Sequence, residues 1–224
     1  MRSHLWKADT VSPPPGLRER KKQATREALR EAALRLAVER GPDGVRVEDI
    51  AEAAGVSPRT YNNYFASREQ AIVAAVTADR ETRIAAAVAA RPTEVRLADA
   101  VTEAVVEQYT NTREHEREAL LLITTRTALR EAFLDTTTGI EAPLTAVLAE
   151  RLGDTEARTA RVLAASVATA VRIALDEWLQ GTGTDAAGAG ATGLLIPSGA
   201  LPDLLRGALA PLAPAFDAAE NPSR

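Results

Sequence analysis

Between Val47 and Phe65 the chain reads Val-Glu-Asp-Ile-Ala-Glu-Ala-Ala-Gly-Val-Ser-Pro-Arg-Thr-Tyr-Asn-Asn-Tyr-Phe. Arg59, Thr60, Asn62, Asn63 and Tyr64 crowd into its second half. These side chains suit the edges of nucleic-acid bases. An asparagine amide pairs bidentately with adenine, a guanidinium pairs with guanine, and threonine touches a thymine methyl or a phosphate. Ser57 followed by Pro58 is a helix start, a capping hydroxyl and then proline where its missing N–H costs nothing. A helix beginning there points backbone donors at a phosphate. A packed helical hairpin with a polar face is the competing reading of any one of these residues. The full set, in this order and spacing, favours DNA.

A second helix must hold that one in place. A helix-turn-helix needs a small residue where the two helices cross, and Ala51 supplies it. Gly55, four residues later, provides the turn position that tolerates positive φ. Tyr61 then pins the reading helix, with Ile50, Val56 and Phe65 completing a small core.

Other chemistries find little support. The chain has no cysteine and only two histidines, so disulfides, thiolate metal sites and a catalytic triad are not expected. His4 has no partner nearby. Glu114-His115-Glu116 lies on adjacent helical positions that diverge around the axis. Gly188-Ala-Gly-Ala-Thr-Gly193 matches the spacing of a dinucleotide loop, but no strand precedes it. It reads as a linker. No metal, no cofactor and no enzymatic activity are expected.

Composition sets the fold class. Ala, Leu, Arg and Glu fill long stretches, and alternating β-branched runs are missing, so an all-α protein is expected. Residues 1–17 read as a disordered arm, 18–66 as a helix-turn-helix domain, and 67–224 as a helical body. The first helix runs from about Arg18 to Arg40, closed by Gly41-Pro42. Helices are expected at Val47–Ala54 and from Pro58 to about Phe65. Ser67-Arg-Glu-Gln70 is a capping box opening a fourth helix that continues to Arg91. Further helices are expected over 93–112, 114–134, 143–152 and 155–180, with a Thr-rich loop at 136–139. A Gly/Ala/Thr linker over 181–193 precedes a last helix near 202–212.

Charge is distributed unevenly. The net charge is −4. Residues 1–80 carry 14 Lys+Arg against 11 Asp+Glu, whereas 81–224 carry 13 against 20. A basic end on an acidic body suits a polyanion held at one end. The most apolar long stretch, 162–175, is interrupted by Arg172 and too short to span a bilayer. The first ten residues lack the apolar run of a signal peptide. A cytoplasmic protein with no membrane partner is expected.

From about Gln23 to Val76 the sequence resembles the DNA-binding domain of the TetR family of transcriptional regulators, in a form similar to actinobacterial members. The resemblance rests on Thr25-Arg26, Ala32-Ala33, Gly41, Ile50-Ala51 and Ala54-Gly-Val-Ser57. It continues through Thr60, Tyr64-Phe65 and Ser67-Arg-Glu69. It implies base reading by Arg59, Thr60, Asn62 and Asn63, and phosphate contact by Tyr64 and Arg68. Arg46 departs from the pattern by replacing a capping threonine, which adds a possible phosphate contact. Tyr61-Asn62 replaces an apolar-aromatic pair. If Tyr61 turned outward, the reading positions would shift by one.

The body resembles the family less specifically. The resemblance implies a small-molecule effector pocket and a homodimer on double-stranded, near-palindromic operator DNA. The function it implies is that of a ligand-released repressor. Leu122, Arg126, Leu129 and Phe133 fall on one face of a helix, so a partly buried Arg126 would need a carboxylate or an anionic ligand. A structural ion pair or an outward-reaching side chain is the alternative. Tyr109, Phe133 and Trp178 are candidate pocket aromatics, with core packing as the competing role. The small residues Ala160, Ala164 and Ala168 would allow a partner helix close approach, across a dimer or within the chain. A ligand-independent architectural DNA-binding protein and a nucleotide-dependent enzyme are the other functional readings.

Overall fold

The computed structural model describes residues 16–110, 123–124, 126–154, 157–185 and 201–221. Among the described residues every regular element is helical. Residues 1–15 of the expected arm, Leu122, Glu114–Glu116 and Gly188–Gly193 lie outside them, while Leu17, expected in the arm, opens the first helix. The first helix, α1, spans Leu17–Arg40 and is ended by Gly41 at φ +73, with a 3₁₀ turn at Pro42–Gly44 behind it. Two short helices follow, α2 at Val47–Ala53 and α3 at Pro58–Tyr61. Leu29, Ala33 and Leu36 of α1 are buried together with Ile50, Ala51, Tyr61 and Phe65.

The expected unbroken helix from Ser67 to Arg91 is two helices, α4 at Arg68–Thr77 and α5 at Arg80–Ala90. Ala78 is extended and Asp79 sits in the left-handed region at φ +57, a conformation that aspartate tolerates better than most residues. Arg83 holds the break: its Nη1 donates to the Ala78 carbonyl at 2.8 Å and its Nε to Gln108 at 2.9 Å. Helical periodicity alone does not reveal such a break, because Ile72, Val76, Ile84 and Val88 keep a four-residue register across it.

The body continues with α6 (Leu97–Thr110), α7 (Thr127–Asp135), α8 (Glu141–Leu152), α9 (Arg158–Asp185), α10 (Leu201–Leu209) and α11 (Ala213–Glu220). The Thr-rich loop is a 3₁₀ helix, Thr136–Ile140, in which the Thr136, Thr137 and Thr138 hydroxyls donate to carbonyls three residues back. The long helix α9 passes through Gly181, where a linker was expected, and α11 was not foreseen. Glu220 of α11 caps a sequence-distant helix, accepting the Leu97 N–H at 3.0 Å, while Arg96 forks onto Asp217 at 2.7 and 2.9 Å.

Packing overturns one expected surface. Helix α9 lies against α8 and α10, and Ala160, Ala164 and Ala168 are buried in those contacts within the chain. Its outward side shows Val162 and Ile173, 62% and 59% exposed and three turns apart. α4 packs on both α1 and α7, so it bridges the two ends of the fold. No helix among the described residues is long and apolar enough to cross a membrane.

Candidate nucleic-acid interface

The turn between α2 and α3 is built as its residue types require. Gly55 takes φ +68, and the Val56 N–H returns to the Ala51 carbonyl at 2.9 Å, ending α2. Ser57 caps α3: its Oγ accepts the Thr60 N–H at 3.1 Å and lies 2.9 Å from the Thr60 hydroxyl. The regular helix ends at Tyr61 and not near Phe65. Asn62–Tyr64 continue as a tight turn, the Asn63 and Tyr64 N–H groups donating to the Thr60 and Tyr61 carbonyls. Arg46 supplies no side-chain cap to α2; Asp49, inside the helix, accepts the Arg46 N–H at 3.2 Å, which satisfies a different donor.

Tyr61 points inward. Its side chain is fully buried, tilted against Phe65 at 5.9 Å between ring centroids, and its hydroxyl donates to the Ser67 carbonyl at 2.7 Å. Burial, reinforced by the nearby Glu69 charge, pushes its hydroxyl well above the ordinary tyrosine range. This orientation leaves Arg59, Asn62 and Asn63 exposed and Thr60 and Tyr64 half-buried. Arg46 and Ser57 are exposed beside them. The expected reading residues therefore share one side of a short, internally braced segment, with the register set by Tyr61.

Arg68 stands differently. Its Nη1 donates to the carbonyls of Val45 at 2.8 Å and Asp43 at 3.2 Å, and its Nε to Glu69 at 2.7 Å. It clamps the loop before α2 onto the start of α4. Partial burial pulls the Glu69 carboxyl upward, but the Arg68 hydrogen bond, backbone and Ser67 contacts and the Arg68 charge prevail and hold it below the ordinary range.

In the body, the structure brings together two of the expected pocket aromatics. Tyr109 and Phe133 are buried with the Arg80 guanidinium over both rings, 4.6 and 5.9 Å from their centroids. Trp178 is buried on α9 in the same apolar core. Arg126 is a correction: α7 begins only at Thr127, so Arg126 is an extended residue before the helix, half-exposed and ion-paired to Asp43 at 3.1 Å. Sequence reasoning missed Arg80. The signal was its place four residues after Val76 and four before Ile84, on the apolar side of the chain.

Residues 29–75 match the model of the family described as bacterial regulatory proteins, tetR family. The chain is 43% identical over 72 residues to the HTH-type transcriptional regulator TcmR of Streptomyces glaucescens, 32% of each chain. It is 43% identical over 51 residues to the HTH-type transcriptional regulator BetI of Rhizobium meliloti (strain 1021), 23% of this chain and 25% of that one. The match thus spans a third or less of these curated relatives. Among solved structures, native NalD, the secondary repressor of the MexAB-OprM multidrug efflux pump in Pseudomonas aeruginosa, is 19% identical. That likeness covers 84% of this chain and 96% of NalD, with a TM-score of 0.44.

Proposed function

From a chain that belongs to the tetR family of bacterial regulatory proteins through residues 29–75, we propose a cytoplasmic, ligand-released repressor that binds a near-palindromic operator as a homodimer. The observation that carries this reading is the exposed trio Arg59, Asn62 and Asn63, held in one register by the buried Tyr61. Arg59, Thr60, Asn62 and Asn63 read bases in the major groove, while Arg46, Ser57 and Tyr64 meet phosphates. Arg68 mainly positions the loop; a phosphate contact falls to its Nη2, the nitrogen without a partner among the described residues.

The dimer forms through the outward side of α9, where Val162 and Ile173 are exposed on one line. Residues 18–66 act as the reading unit and 67–224 as the regulatory body. An effector held in the body changes the pose of α4 between α1 and α7, and so the separation of the two reading segments. It can shift that equilibrium only by its differential affinity for the two poses, ordinarily worth about 1–3 kcal/mol.

The test is a base-preference profile on selected duplexes for the wild type and Asn63→Ala. Relaxed preference at one symmetric pair of positions, at about 1–3 kcal/mol per half-site, is expected. An unchanged profile overturns the assignment. Compounds found by thermal shift are then titrated with DNA; stabilisers from several chemical classes that leave duplex affinity untouched favour the ligand-independent reading.

A further inference from the structure

Among the described residues, Arg80 has two buried guanidinium nitrogens without a hydrogen-bond partner. It opens α5 immediately after the left-handed Asp79, which turns it inward, and it is 6% exposed. Its Nε and Nη1 are both shielded from solvent and without a hydrogen-bond partner among the described residues. Among the described residues no carboxylate pairs with it. The adjacent Glu81 instead sets its Oε1 3.1 Å from where a Gly139 Cβ would stand. Tyr109 and Phe133 engage the guanidinium through their rings, and the Tyr109 hydroxyl also interacts with it, but Nε and Nη1 remain unused.

A guanidinium stays a cation with five N–H donors even when buried, so burial leaves its donors in need of an acceptor. Its unpaired donors then favour any anion that reaches them. Phe133 beneath the guanidinium, and Ile84 and Leu129 one helical turn from Arg80 and from Phe133, are buried and apolar, so an anion meeting those donors would need an apolar body.

We propose that Arg80, with Tyr109 and Phe133, forms the anchor for an organic anion, a carboxylate carried on an apolar aromatic ring. This rests on the regulatory body being an effector-binding unit. The carboxylate meets Nε or Nη1 in the guanidinium plane, while the ring joins the Tyr109–Phe133 cluster.

The test uses the full chain and calorimetry with 1-naphthoate, indole-3-acetate and salicylate, against 1-naphthamide and 1-naphthylmethylammonium. At least one carboxylate is expected to bind the wild type tenfold or more tighter than the neutral and cationic analogues. Arg80→Met should abolish that preference and Arg80→Lys should restore part of it. Wild-type protein that binds none of the carboxylates at millimolar concentration, or shows no charge preference, overturns the proposal, as does a preference that survives in Arg80→Met. If Arg80→Met fails to fold, the wild-type charge preference and Tyr109→Leu, expected to weaken the carboxylate tenfold, decide. DNA release is read separately. Carboxylate bound through Arg80 without loss of duplex affinity refutes the effector reading and keeps the site. Release by the ammonium probe alone, unchanged in Arg80→Met, keeps the effector reading and refutes the site.

Discussion

Arg126 reaches from the head of α7 to Asp43 on the 3₁₀ turn between α1 and α2, Nε to Oδ2 at 3.1 Å. The carbonyl of the same Asp43 accepts Arg68 from the start of α4. Two arginines, one from the body and one beside the reading segment, thus converge on one loop residue. The ion pair is about half-exposed on the Arg126 side and more so on the Asp43 side, so solvent screens it. A double-mutant cycle with Asp43→Asn and Arg126→Gln should give a coupling below about 1 kcal/mol in urea unfolding. A coupling above about 2 kcal/mol would mean that this contact is far less hydrated than its exposure indicates.

Arg68 and Arg59 should separate cleanly. Arg68→Ala strands two carbonyls and the Glu69 carboxylate, and should cost about 1–3 kcal/mol of stability. Arg59→Ala touches an exposed side chain and should leave stability within about 0.5 kcal/mol while weakening duplex binding. Chemical denaturation beside DNA titration measures both. Equal stability losses would refute the clamp.

The two sides of α9 make an equally sharp contrast. Val162→Glu places a charge on an exposed residue, so the folded chain should survive and sediment as a monomer. Ala164→Glu forces a carboxylate into a fully buried position and should cost about 3 kcal/mol or more, appearing as loss of folded protein. A Val162→Glu variant that stays dimeric at micromolar concentration refutes this interface.

Alkaline stability should decline because of Tyr109. Desolvation by burial pushes its hydroxyl up to about 12, against the opposing pull of the Arg80 charge. Between pH 10 and 12 the unfolded chain releases a proton that the folded chain keeps, so stability falls as pH rises. Each such tyrosine contributes a slope of up to about 1.4 kcal/mol per pH unit. Tyr61, raised in the same direction, adds to it. Urea unfolding across that window, in wild type and Tyr109→Phe, should show a shallower slope in the variant. Identical slopes would contradict the neutral, buried state of Tyr109.

What the sequence determined by itself is local. Ser57-Pro58 start α3, Gly41 and Gly153 end α1 and α8, and Gly55 turns α2 into α3, because capping and φ preferences act within a few residues. The exposed set Arg59, Asn62 and Asn63 was legible for the same reason: its spacing from Tyr61 is a property of one short segment. Tertiary structure decided the rest. The break at Ala78–Asp79 is bridged by Arg83, which also reaches Gln108 on another helix, a contact that no periodicity within α4 or α5 encodes. Ala160, Ala164 and Ala168 look alike whether a small-residue stripe meets a second copy or the chain's own α8 and α10. Arg126, expected to be partly buried, faces water, and Arg80, which the sequence did not single out, faces Tyr109 and Phe133; the helix starts at Thr127 and Arg80 accompany that difference.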